Sequence, residues 1–529
     1  MKFKKYGKLQ ASTIAVLAVT ALAASCGGGG GGGGSGFAVS PIAADPPVTA
    51  QRACTLLAGT KAAGATVLAA VEVPASSDVP RYCKVTAKIE PALNLEMRIP
   101  NEWNGKLQYT GGGGFDGSIP PLNVLSIGAL KQGYVTVSSD SGHQAPDSDA
   151  SWAIGNPQAQ ALFGSLSVPT VMASALAMVK TAYGKAPTRS YFEGCSNGGR
   201  EGLIAAQRNP ELFDGIAARA PALNFVGTTG AFNRNVKAVL APGGMFTPAK
   251  VALLSNAVLA ACDAKDGVAD GIVSNPSACS FDAKVLRCTG GADTGDSCLS
   301  DAQLAVVDSW TTPMALASGA YRNPGWALSG NESTPGTGWD AWLMGTPSVQ
   351  FVLQDAGIKG FIAGDVKVDS LTYALESNLP ALAAMSATLD ATNTDLQPFR
   401  NHGGKLILWH GGSDPALSAR TTTGYYQGAV AAAGGQASAD AFTRFYITPG
   451  VTHCGGGPGA DSSDLLTALD SWVDKGTAPD VLASSKLAAD GSVSLSRPLC
   501  RYPQYPRYTG PANDAAAARL AANFSCTSP

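Results

Sequence analysis

Ser196 sits in Gly194-Cys195-Ser196-Asn197-Gly198, the one G-x-S-x-G of the chain. A serine hydroxyl is a poor nucleophile until a base takes its proton, and small residues on both sides let the backbone turn sharply and project the oxygen above a sheet. The base must come from four histidines. In serine hydrolases with this elbow the partners follow in the order Ser, acid, His. His143 precedes the serine, and His402 and His410 lie before or on the far side of a strand, with little room for an intervening acid loop. His453 follows an extended run, Phe442 to Ile447, and is the candidate base. The acid should leave the preceding core strand, and Asp414 does so in the turn after Lys405-Leu406-Ile407-Leu408-Trp409. Taken singly, His453 reads as a packing histidine and Asp414 as an Asx-turn before Pro415. Their order, each at a strand exit, favours a triad. Cys195 precedes Ser196 and Cys454 follows His453, so a triad would bring these sulfurs to a disulfide span of roughly 5.5 Å between Cα atoms.

The elements that would position these groups are legible nearby. Ser190 to Glu193 reads as a strand and Gly199 to Arg208 as a helix stopped by Pro210, which makes the motif a strand, a tight turn and a helix. Further strand-like runs are 84–89, 94–99 and 106–110, with the alternation of an antiparallel edge, and 134–138. A long Ala-rich helix is expected from Gln158 to Tyr183. Alternating strands and helices up to residue 222, resuming near 403, predict an α/β-hydrolase fold: a mostly parallel sheet covered on both faces, with 51–222 and 401–529 as one catalytic domain. Residues 223–400 are Gly- and Pro-punctuated, without clear strand-helix alternation, and read as a large lid inserted between nucleophile and acid. Trp326, Trp339, Trp342, Phe351 and Phe361 could line an acyl pocket, though lid core is the commoner fate of such residues. Gly111 to Gly114 follow an early strand, where backbone N–H groups complete an oxyanion hole; Gly114 or Gly113 is expected to donate, with the Asn197 amide as the second donor.

The strings Gly194 to Leu203, Pro449 to Gly457 and His410 to Asp414 together resemble the tannase/feruloyl esterase family over about residues 54–526. The resemblance implies a Cys-Ser, Asp, His-Cys constellation with a disulfide between the two flanking cysteines, a lid, and hydrolysis of esters. Members include the hydrolase of mono(2-hydroxyethyl) terephthalate. The expected activity is that of a serine carboxylesterase (EC 3.1.1) acting on feruloyl-type hydroxycinnamic esters, free or linked to plant polymers, through an acyl-enzyme. Galloyl esters and terephthalate monoesters are the alternatives. A serine peptidase and a non-catalytic calcium-dependent binding protein are the rivals from other classes; the nucleophile elbow argues against the second.

The 529 residues, 45% of them hydrophobic, suffice for a large core, and a net charge of −2 indicates neither a nucleic-acid surface nor an acidic tail. Lys4 and Lys5 precede a short apolar stretch from Ile14 to Ala24, the pattern of a secretory signal within residues 1–26. Ala23-Ala24-Ser25-Cys26 resembles a lipoprotein cleavage site, so the expected destinations are periplasm, outer membrane by a lipid on Cys26, or release. Residues 27–50, opening with poly-Gly, read as a tether. Without Cys26, ten of the eleven cysteines remain, and an oxidising compartment favours their pairing. Sequence does not settle the pairing by itself. Proximity suggests Cys54–Cys83, Cys262–Cys279, Cys288–Cys298 and Cys500–Cys526 beside Cys195–Cys454, and the family resemblance implies the same scheme. Asp263, Asp266 and Asp270 surround two glycines in one loop whose spacing is not that of an EF-hand. From the residues it is as much a solvated acidic turn as a calcium site. The resemblance implies structural Ca²⁺ held by those three carboxylates and the carbonyls of Val268 and Ile272.

Overall fold

Ten strands form a single sheet in a computed structural model that describes residues 49–76 and 78–529. The expected signal segment, Cys26 and nearly all of the tether lie outside the described residues. In chain order the strands are β1 (Lys61–Ala62), β2 (Ala65–Val73), β3 (Tyr82–Ile89), β4 (Leu93–Pro100), β5 (Lys106–Thr110), β6 (Val135–Ser139), β7 (Arg189–Cys195), β8 (Gly215–Arg219), β9 (Lys405–Gly411) and β10 (Thr443–Thr448). Their order across the sheet is β1-β2-β3-β4-β6-β5-β7-β8-β9-β10. Pairing is antiparallel from β1 to β4 and on to β6, and parallel from β6 to β10.

Strand pleat divides the core. Phe192, Ile216, Leu406 and Leu408 point to one face, where the helix Ser167–Tyr183 buries Val171, Ala175, Met178 and Val179. Their neighbours Tyr191, Ala217, Ile407 and Trp409 point to the other, against Leu465, Leu469 and Trp472 of the helix Leu465–Lys475. Because successive side chains alternate and both faces are covered, the central strands read as continuous apolar runs. Each fully buried Leu or Phe removes enough apolar area from water to contribute about 1.5–3 kcal/mol.

One expectation is corrected here, and one strand was not anticipated. Lys106–Thr110 does not extend the antiparallel edge, since β5 lies parallel to both β6 and β7; alternation reports a half-buried strand but carries no direction. Ala65–Val73 is a nine-residue strand without a clean sequence signature, because a register shift between Val67 and Ala69 breaks its period of two. The long helix is present from Pro157 to Tyr183, with a π-helical turn at Leu162–Leu166. That turn sits just before Pro169, which has no N–H to offer a preceding carbonyl.

Residues 223–400 contribute no strand to this sheet. They are mainly helical, with helices Phe225–Leu240, Pro248–Cys262, Asp301–Thr311, Val349–Gly357 and Leu379–Leu389, and one short antiparallel pair, Met314–Leu316 with Tyr321–Asn323. Phe232, Phe246, Trp310, Trp326 and Trp339 form their apolar core. All five suggested cysteine pairs are bonded, with Cα–Cα distances from 4.9 to 5.9 Å, which fits an extracytoplasmic protein.

Candidate active site

The end of β7 passes through Ser196 directly into the helix Asn197–Arg208. Ser196 has φ 62° and ψ −121°, a left-handed conformation costly for a residue with a side chain and tolerated where the surroundings enforce it. Its backbone is tied down on both sides. Ser196 N donates to the Arg219 carbonyl at 3.0 Å, and the Ser196 carbonyl accepts from Arg200 N at 3.1 Å and Ala222 N at 3.0 Å. The flanking glycines answer to close approach. A Cβ at Gly194 would lie 2.5 Å from the Gly198 carbonyl carbon, and one at Gly198 would lie 2.8 Å from the Gly112 oxygen.

Asp414 and His453 leave β9 and β10, adjacent parallel strands, and meet at 2.8 Å between Asp414 Oδ2 and His453 Nδ1. That bond leaves Nε2 on the side of the ring away from the carboxylate. Asp414 is buried, and its Oδ1 accepts from Ala416 N at 2.8 Å and Leu417 N at 3.0 Å. A second imidazole reaches the same carboxylate: His410 Nε2 is 3.2 Å from Asp414 Oδ2 and 2.9 Å from the Leu417 carbonyl, while its Nδ1 is 2.9 Å from Thr422 Oγ1. Burial alone would raise the Asp414 carboxyl. The charges and hydrogen bonds of His453 and His410 outweigh it and hold the group well below the usual carboxylate range. His410 braces the Asp414 carboxylate, and its position four residues before Asp414 at a strand exit is the signal that could have shown this.

The Cys195–Cys454 disulfide joins the elbow to the histidine loop with Cα atoms 5.9 Å apart. Ser196 and His453 line one chamber together with Gly114 and Asn197. Ser196 Oγ makes no hydrogen bond to another described residue, as is common in catalytic sites before substrate aligns the groups. The amides of Asn197, Gly113 and Gly114 donate no hydrogen bond within the described chain. Asn197 opens a 12-residue helix, whose N-terminus favours a developing anion. Gly114, at φ 58°, is pressed against the Asp147 carbonyl, which a Cβ would meet at 2.2 Å.

The chamber walls are apolar: Phe115, Phe225, Phe232, Leu353 and Leu417, with Trp342 edge-on to His453 at a centroid distance of 5.2 Å. Of the five aromatics singled out from sequence, Trp342 alone lines it. Trp326 and Trp339 are in the apolar core of residues 223–400, Phe361 packs behind Phe115, and Phe351 does not reach it. Thr228 and Thr229 also line the chamber, and their hydroxyls bond to no described residue. On its other side Ser196 opens to a wider cleft flanked by Pro120, Pro121, Pro347 and Val352 and by Val124 and Leu125, both exposed.

The acidic loop lies apart from this chamber. Asp263 Oδ2 accepts from Gly271 N at 2.8 Å and Asp266 Oδ2 from Ser274 N at 2.9 Å, while Asp270 pairs with Arg497. Among the described residues no group of three or more His, Cys, Asp or Glu is placed to hold a metal ion; the carboxylates are turned to the loop's own N–H groups and to Arg497. The donor types are nonetheless those a hard cation takes. Burial lifts the Asp266 carboxyl to about 6 and also raises Asp270, each carboxylate has lone pairs left, and the Val268 and Ile272 carbonyls accept no backbone hydrogen bond.

Comparison with known proteins agrees with this geometry. Residues 77–527 match the family model for tannase and feruloyl esterase. The chain is 34% identical to mono(2-hydroxyethyl) terephthalate hydrolase of Piscinibacter sakaiensis over 87% of both chains. It is 33% identical to a probable feruloyl esterase of Arthroderma benhamiae, over 79% of this chain and 80% of the relative. In fold it is similar to feruloyl esterase B of Aspergillus oryzae (TM-score 0.80, 24% identity, 90% of this chain and 100% of that one). Tannin acyl hydrolase of Aspergillus niger is another fold neighbour (TM-score 0.72, 22% identity, 91% of this chain and 96% of that one). The chain belongs to the tannase and feruloyl esterase family and is a carboxylic ester hydrolase.

Proposed function

We propose that this protein is an exported serine esterase that hydrolyses esters of neutral, phenolic aromatic acids of the feruloyl type. The carrying observation is the convergence of Ser196, on its strained elbow, with the His453–Asp414 pair on one apolar chamber. Ser196 Oγ attacks the ester carbonyl as His453 Nε2 takes its proton; Asp414, bonded to Nδ1, orients the ring and stabilises the imidazolium. The amides of Asn197 and Gly114, or Gly113 beside it, receive the oxyanion. His453 returns the proton to the leaving alcohol, which departs through the wide cleft, and water repeats the sequence on the acyl-enzyme.

The chamber favours a hydroxycinnamoyl group over a terephthaloyl one. A terephthalate monoester carries a free carboxylate on its acyl ring, and no Lys or Arg lines the chamber; burying that charge without a partner would cost several kcal/mol. A phenolic hydroxyl finds Thr228 and Thr229 instead. A galloyl ester is the second reading on the same grounds, its ring carrying hydroxyls and no charge. The test is a hydrolysis panel of methyl ferulate, methyl gallate and mono(2-hydroxyethyl) terephthalate. A preference for the terephthalate monoester would overturn the substrate assignment, and turnover by Ser196→Ala would overturn the nucleophile.

Structural calcium in the acidic loop belongs to the same reading. Asp263, Asp266, Asp270 and the carbonyls of Val268 and Ile272 would hold it, supplying charge compensation for buried carboxylates and no step of the reaction. Chelation should lower the melting temperature, because a ligand of the folded state alone stabilises it; identical melting with chelator and with excess calcium would remove the metal. The five disulfides support export, with lipidation of Cys26 or release as its two outcomes, distinguished by the mass of the mature N-terminus.

A further inference from the structure

Behind the oxyanion loop two carboxyl groups from separate elements meet inside the protein. Asp116 follows the loop that leaves β5, and Glu201 lies in the second turn of the nucleophile helix. They are 2% and 5% exposed and are neighbours across one serine hydroxyl. Each holds the other's element. Glu201 Oε2, on the helix, accepts from Gly112 N of the loop at 3.0 Å. Asp116 Oδ2, on the loop side, accepts from Asn197 Nδ2 of the helix at 2.9 Å. Ser141 Oγ bridges them, 2.7 Å from Asp116 Oδ2 and 3.2 Å from Glu201 Oε1. Gly112 is so close that a Cβ there would fall 2.0 Å from Asp116 Oδ1.

The charges around the pair leave room for one proton. Arg200, fully buried and bonded to Asn197 Oδ1 at 2.6 Å, is a cation that interacts with both carboxyls and also with Asp390. His143 is pushed toward its neutral form by burial. Tyr109 is a buried phenol bonded to Ser139, and Asp140 turns its oxygens to Asn94, Gly142 and Gln144. One guanidinium offsets at most one of these carboxylates. Two buried like charges bridged by one hydroxyl do not both ionise readily, and Asp116 Oδ1 is buried with no donor among the described residues, a cost that a shared proton removes. Burial, then Glu201, raise the Asp116 carboxyl well above its ordinary range.

We propose that Asp116 and Glu201 share one proton and act as a positioning pair that holds the oxyanion-hole loop, Gly111 to Gly114, against the nucleophile helix. The inference rests on the serine esterase reading above. Neither side chain lines the apolar chamber, and Asp116, at the border of the wide cleft, is buried; they act through the loop amides, so their loss should fall on kcat more than on KM. Removing the proton at alkaline pH would set two carboxylates against each other and loosen the same contact.

Four proteins test it: wild type, Asp116→Asn, Glu201→Gln and Asp116→Ala, compared by kcat and KM, by infrared difference spectra at pH 8, and by fluorophosphonate labelling. The wild type should show a protonated-carboxyl band that both amide variants lose, with other buried carboxyls cancelling in the difference. Asp116→Ala should lose about a hundredfold in kcat, the effect of displacing a reacting group by about 1 Å, with KM little changed. Asp116→Asn, which keeps a donor and an acceptor, should recover most of that loss. An unchanged band in both amide variants, or equal activity in Asp116→Ala and wild type, would overturn the proposal. If Asp116→Ala does not fold, the infrared comparison decides alone. Absent labelling of wild-type Ser196 would sink the serine reading while leaving the infrared result intact, so the two failures are distinguishable.

Discussion

Replacing Cys195 and Cys454 together by alanine separates what the bridge does for the fold from what it does for the reaction. The two residues are 259 positions apart, so the bridge closes nearly half the chain. Two shorter bridges, of 17 and 10 residues, lie inside that loop and shorten it little, because closure entropy depends on the logarithm of its length. The chain-entropy model then allows a loss of about 5 kcal/mol. The local geometry predicts a further effect on rate. Ser196 and Cys454 both hold positive φ, 62° and 61°, strain of about 1–3 kcal/mol each that persists only while the surroundings enforce it. Without the bridge both can relax, and about 1 Å between nucleophile and base is worth about a hundredfold in kcat. Guanidinium unfolding measures the first quantity; kcat and the rate of fluorophosphonate labelling measure the second, under conditions where the variant is fully folded. A double variant with wild-type kcat and labelling rate, whatever its stability, would refute the positioning role and leave the alignment to packing.

Asp414→Asn should fold and lose about 10⁴ in kcat, the cost of the wrong imidazole tautomer; a loss below tenfold would exclude Asp414 as the orienting acid. Because His453 and His410 hold the Asp414 carboxyl below its ordinary value, its stabilising contribution is present above about pH 4 and is lost as pH falls through the lower folded value. The stability advantage of wild type over Asp414→Asn should therefore be level above about pH 5 and shrink below about pH 4; an advantage that grows on acidification contradicts the sign. Gly198→Ala places a methyl group 2.8 Å from the Gly112 oxygen and 2.9 Å from the Gly111 carbonyl carbon, backbone that can yield only by moving the oxyanion loop. It should depress kcat more than KM, and unchanged kinetics would show that the loop is not held where the glycine requires it.

The placement of Ser196, Asp414 and His453 was legible because each stands at the exit of a parallel strand, a position marked by an apolar run followed by a turn. The cysteines flanking Ser196 and His453 were legible for the same reason. Strand direction was not: Lys106–Thr110 alternates as any half-buried strand does, and its neighbours are decided by the crossover that inserts β6. The helices between Phe225 and Leu389 were obscured by Gly and Pro between short segments whose apolar faces meet only in three dimensions. Trp342 could not be told from Trp339, three residues away, since one faces the chamber and the other the apolar core of residues 223–400. The Asp116–Glu201 contact and the support His410 gives Asp414 depend on side chains converging across elements, which spacing does not encode.

Mass spectrometry of the enzyme quenched during turnover of methyl ferulate tests the central claim most directly. A feruloyl group should appear on the peptide containing Ser196, form within the first turnover, disappear as substrate is exhausted, and be absent from Ser196→Ala, which should also fail to hydrolyse the ester. An acyl group on any other residue, or hydrolysis by Ser196→Ala at the wild-type rate, would contradict the account.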